Sequence, residues 1–108
     1  MRGNHIIWGR QDYVEPPPLP PEALARVAMC SVMPRWPDRT NPYNWHEVRA
    51  GDDVIGFVKT GLGGQSYRTP DMDDWFLVAW DWNRADPPHA HAVLRLLDAV
   101  NASAEASV

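Results

Sequence analysis

DDWFLVAWDW, residues Asp73 to Trp82, holds three of the six tryptophans of a 108-residue chain. Its reading decides the fold. Side chains alternate along an extended ribbon, so Phe76, Val78, Trp80 and Trp82 share one side and Trp75, Leu77 and Ala79 the other. Both sides stay apolar until Asp81, the pattern of a central strand covered on each face. One face is then core, and the second is either core or an interface with another chain.

Downstream, NRADPPHAHAVLRLLDAV (83–100) is the clearest helix. Asp86 is placed to cap it, and Pro87 and Pro88 suit the first turn. Ala90, Val93, Leu94, Leu97 and Val100 form the buried stripe, while His91, Arg95 and Asp98 line the outer face. Upstream, DDVIGFVKT (52–60) is a strand, with Val54, Gly56 and Val58 on one side and Ile55, Phe57 and Lys59 on the other. A glycine-rich loop, GLGGQSYRTPDMDD (61–74), joins it to the tryptophan-rich stretch.

The first half is more irregular. HIIWGRQDY (5–13) reads as a short strand, and EPPPLPPEAL forces an extended connection in which Pro21 suits the first residue of a helix. PPPLPP has the PxxP spacing read by SH3 and WW domains, but without flanking specificity residues a stiff spacer is the better reading. A helix is expected from Glu22 to about Met33, with Leu24, Val27, Ala28 and Val32 on one face and Pro34 ending it. RWPDRTNPYNWHEVRAGDD (35–53) is expected as a loop with Trp36, Tyr43 and Trp45 pinned to the core. A short helical turn capped by Asn44 is expected near 44–48. The fold class is therefore α+β, a small antiparallel sheet packed by two helices. It forms one domain over 1–108, with a proline-rich connection at 14–21 and a C-terminal tail at 101–108.

Bulk composition narrows the function. The apolar share of 44% and charged share of 22% are those of a globular domain. A net charge of −4 argues against a surface built to grip phosphates throughout. Lys59 is the only lysine among ten basic residues, a bias that fits a GC-rich bacterium or its phage. Cys30 is the only cysteine, so no intrachain disulfide is possible. No run approaches the roughly 18 apolar residues of a membrane span, and the N-terminus lacks a secretory apolar region.

Candidate chemistry is thin. His89 and His91 stand two apart at a helix start, where they point to different sides and cannot easily share an ion. Asp71, Asp73 and Asp74, with Asp52 and Asp53, lack the spacing and closing glutamate of a calcium loop. GLGG leads to another strand rather than to a helix N-terminus, so it reads as a flexible hairpin loop, not a phosphate cradle. Cys30 falls mid-helix among apolar residues, and Ser31 and Ser66 have no evident histidine partner in sequence. No catalytic residue, metal ligand or cofactor site is expected.

From Ile55 to Val100 the succession of GFVKTGLGG, an acidic residue before WFLVAWDW, and the helix HAVLRLLDAV resembles the tail-terminator (tail-completion) proteins of long-tailed phages. The resemblance covers a little under half the chain. It implies an α+β subunit of a ring, usually hexameric, that caps the tail tube and docks to the head connector. DNA would pass through the bore without sequence-specific contact. It further implies a virion protein made in the host cytoplasm, with Gly61, Gly63, Gly64, Gln65, Tyr67 and Arg68 forming a loop that reaches a neighbouring subunit. Trp36 and Trp45 join that expected interface as loop aromatics. The first strand and the tryptophan-rich middle segment are not part of the family pattern. Two alternatives remain. One is a small regulatory or nucleic-acid-binding protein that stacks bases on the interleaved Arg35, Trp36, Arg39, Tyr43, Trp45 and Arg49. The other is a phage-encoded inhibitor of a host protein.

Overall fold

The computed structural model describes residues 14–34, 45–61 and 63–106. It is an α+β domain: a five-stranded antiparallel sheet and two helices. In chain order these are α1 (Pro21–Ala28), β1 (Ser31–Pro34), β2 (His46–Ala50), β3 (Asp53–Gly61), β4 (Gly64–Arg68), β5 (Phe76–Ala79) and α2 (Ala90–Ala106). The strands lie side by side in sequence order. Helix α2 crosses one face, packing on β3, β4, β5 and α1. The expected strand at 5–13 and the aromatic anchors Trp36 and Tyr43 fall outside the described residues.

The core forms between α2 and the sheet. Val48, Val58, Ala90, Ala92, Val93 and Leu96 are fully buried, with Tyr67 and Val27 almost so. Gly56 makes this packing possible. A Cβ there would lie 2.5 Å from a Leu96 methyl carbon and 2.7 Å from the Arg68 carbonyl oxygen. The buried face of α2 is rotated from the expected stripe. Ala90 and Val93 of that stripe are fully buried, but Ala92 and Leu96 join them there, and Leu94, Leu97 and Val100 sit at the margin of the core. The helix also continues to Ala106, so residues 101–106 are its last turns rather than a loose tail.

Helix α1 is shorter than expected. Pro21 opens it without a side-chain cap, and it ends at Ala28, where the Met29 and Cys30 N–H groups bond back to Arg26 and Val27. Val32 leaves the helix for β1, where it pairs with Val48. A β-branched residue just ahead of a proline favours an extended backbone, and Val48 offers it a ladder partner. The expected turn at 44–48 is likewise replaced, by strand β2, because Val48 is buried between β1 and β3 while Glu47 and Arg49 pair on the opposite side. Cys30 therefore lies in the turn between α1 and β1, not mid-helix.

Two tight turns join the central strands. Gly51 turns β2 into β3 with φ of 64°, and Gly64 opens β4 with φ of 100°. Both values are left-handed and suit glycine. The expected long glycine loop is thus a tight hairpin, with Gly61 paired to Gly64, followed by a strand.

Among the described residues, the strand formed within Asp73 to Trp82, β5, lies at the edge of the sheet and not at its centre. β5 pairs only with β4, and no described strand covers its other side. Phe76 lies over the helix side, 5.6 Å from the Tyr67 ring and beneath Arg95. Phe76, Leu77 and Trp80 are 47%, 37% and 73% exposed. The apolar alternation is real, but it reports hydrophobicity on both faces and not the number of neighbouring strands.

Asp86 does not cap α2. Its carboxylate accepts the Leu19 N–H at 3.1 and 3.2 Å, and the Ala92 N–H near the start of α2 donates instead to Gln65 Oε1 at 3.0 Å. The proline-rich connection is held along 83–86 by two further bonds, from Asn83 Nδ2 to the Pro16 carbonyl and from the Arg84 N–H to Glu15. A spacer fastened at three points fits the stiff-connection reading.

Candidate functional site

The face of the sheet opposite α2 carries an aromatic and cationic cluster. Trp45 precedes β2, Phe57 lies on β3, and Trp75 precedes β5. Antiparallel pairing brings them together, with Trp45 edge-on to Phe57 at 5.1 Å and to Trp75 at 5.6 Å. The Arg68 guanidinium, from β4, lies 5.0–5.5 Å from all three ring centres and donates to the Met72 carbonyl at 3.0 Å. Lys59 Nζ sits 4.6 Å from the centre of Trp75. Edge-on rings and a cation over a ring face both follow from the negative face and positive edge of the π system.

Next to this cluster opens a groove of about 640 Å³. Trp45 and Trp75 wall it, and Lys59, Thr60, Ser66 and Leu77 line it together with the glycines of the β3–β4 turn. At Gly64 a Cβ would meet the Ala79 carbonyl oxygen at 2.4 Å, so no side chain can fill this end. The size falls within the range of small-ligand sites, and a few polar groups in an aromatic cleft are their usual composition.

A second polar cluster lies on the helix side, where β2 and β3 meet the start of α2. The His46 and His89 rings stand 4.3 Å apart. The Thr60 hydroxyl donates to the Pro88 carbonyl at 2.9 Å and lies 2.8 Å from His89 Nδ1. A hydroxyl has one proton, so His89 Nδ1 is the donor in the second bond. Burial, reinforced by the neighbouring His46, pushes His89 down to about 4, and burial lowers His46 as well. Both rings are therefore neutral near pH 7, and stacking is free of charge repulsion. His91 points elsewhere, 3.8 Å from Asp86, and the described residues contain no group of three or more metal-ligating side chains. Burial also pushes the Cys30 thiol up, against the nearby Arg26, which disfavours the reactive thiolate.

The expected interface residues divide. Gly61, Gly63 and Gly64 sit together at the hairpin tip on the groove, and Trp45 forms one wall. Arg68 is held among the rings. Gln65 and Tyr67 are corrections: they lie on β4 beneath α2, fully and almost fully buried, and cannot belong to a mobile loop that reaches a neighbour. Trp36, like Arg35, Arg39 and Tyr43 of the nucleic-acid alternative, lies outside the described residues, while Arg49 pairs with Glu47. Lys59, Ser66, Trp75 and Leu77 also line the groove, although none of them was expected at the interface from the sequence. The available signal was that the only lysine shares a strand face with Phe57. Comparison of the chain with protein-family models, curated proteins and solved structures finds no match.

Proposed function

We propose that the protein is a non-enzymatic assembly subunit that associates with further copies of itself through the β5 edge. On the resemblance of its second half, it would be the ring at the end of a phage tail. One observation carries the reading: Phe76 and Leu77 are exposed on an outer strand that no described strand covers, and Trp80 is exposed just beyond its end. A bare apolar edge invites pairing, and soluble monomers usually blunt such edges with charge, proline or a covering loop. WFLVAW (75–80) carries neither charge nor proline. A head-to-tail contact that closes into a ring would use the edge without leaving it open to fibre growth. The hairpin tip at Gly61–Gly64 lies beside β5 and would be carried to the same neighbour.

Size-exclusion chromatography with light scattering tests this. The expected result is a discrete, closed oligomer whose mass does not grow with concentration, seen as rings by electron microscopy. Trp80→Glu should shift it to monomer while leaving the circular dichroism spectrum unchanged. A strict monomer at high concentration, alone and with purified tail tubes, overturns the reading.

A further inference from the structure

We propose that the groove beside Trp75 binds a nucleotide unit, with the base stacked on the Trp75 side of the cleft and the phosphate held by Lys59 and Ser66. The proposal does not rest on the assembly reading, although the groove shares Leu77 and the glycine turn with the surface that reading uses. Arg26, Arg49 and Arg84 each have a carboxylate within reach, whereas Lys59, Arg68 and Arg95 make no ion pair among the described residues, and of these three only Lys59 lines the groove. A lone cation beside a tryptophan, at the mouth of a cleft, suits a ligand that is both flat and anionic. Ser66 lines the same cleft and can donate its hydroxyl proton. Gly63, exposed and with open space where a Cβ would stand, leaves the turn backbone open to close approach at the mouth of the groove. Leu77 supplies the apolar contact opposite. An acidic peptide would use the lysine but not the aromatic walls, and a purely apolar ligand would leave the ammonium without a counter-charge.

Two features limit the ligand. Asp71, Asp73 and Asp74 stand in the loop just before Trp75, and the chain as a whole carries −4. A long polyanion would meet that acidic loop, so one or two nucleotides are what the groove can hold, weakly and in a salt-dependent manner.

The full chain, titrated at low salt with fluorescein-labelled oligothymidylate and followed by anisotropy, tests the proposal. Binding is expected, weakened about tenfold by Trp75→Ala. Lys59→Gln should weaken it severalfold and reduce the salt slope by about 1. Lys59→Gln removes only a half-buried charge, so its melting curve should match the parent and serve as the control for folding. Competition by thymidine monophosphate identifies the source of the unit: equal affinity per site means a free nucleotide, and much weaker competition means a single strand. Absence of binding, equal displacement by polyglutamate, or a Lys59→Gln chain that binds as well as the parent would each overturn the assignment.

Discussion

Gly56 shows how a single residue sets the packing distance between layers. Adding one methyl group would drive it into Leu96 and into the Arg68 carbonyl of the neighbouring strand, neither of which can withdraw without moving the core. Gly56→Ala should therefore destabilise by about 1–3 kcal/mol in urea denaturation, with the slope of the transition unchanged. The His46–His89 pair makes a second prediction. Folding lowers His89 from 6.5 to about 4, so protons bind the unfolded chain more tightly. The stability contributed by the neutral ring is fully present above about pH 6.5 and is lost as pH falls towards 4. The melting temperature should drop over that window, and His89→Gln should flatten the drop. A parent curve that is level between pH 6.5 and 4 would contradict the burial argument. Neither effect was legible in the sequence. Gly56 sits in an ordinary strand pattern, and His46 and His89 are 43 positions apart in the chain, brought together only by the sheet.

The elements differ in how openly the sequence declares them. α2 and β3 were legible because each has a strong period of its own, 3.6 in one and 2 in the other. β4 was not. GQSYR is polar and begins with glycine, and it becomes a strand because β3 and β5 flank it and α2 buries Gln65 and Tyr67. Gln65 then serves as a cap for a helix that follows it by 25 residues, a role no local pattern announces. Asp86 was released from capping to hold the proline-rich connection. Asp86→Ala should cost about 1–3 kcal/mol, since it leaves the Leu19 N–H without its acceptor, and should hasten proteolysis near 14–20. Unchanged protease sensitivity would mean that the Asn83 and Arg84 bonds suffice.

For the whole molecule, one sheet face is closed by α2 and the other bears the aromatic groove, while the β5 edge lies open. The two surfaces share Leu77 and the glycine turn, but Trp80 belongs only to the edge and Lys59 only to the groove, so these two residues separate the tests. Trp80→Glu should abolish assembly and spare nucleotide binding, because Trp80 does not line the groove. Lys59→Gln should weaken nucleotide binding severalfold and spare assembly. Light scattering and anisotropy on the two variants check this, and loss of both properties in either one would merge the two surfaces into a single site. No helix among the described residues is long and apolar enough to cross a membrane.

By itself the sequence determined the class of fold, the long helix, the strand at 53–61 and the proline-stiffened connection, because these depend on interactions between residues a few positions apart. Tertiary structure alone decided that Phe76–Ala79 is the last strand among the described residues, that Val32 leaves a helix for a strand, and that Lys59, Ser66 and Trp75 share one cleft. Those outcomes depend on which strands become neighbours. Hydrophobic alternation tells a strand which of its faces can be buried, and only the assembled sheet determines what is there to bury them.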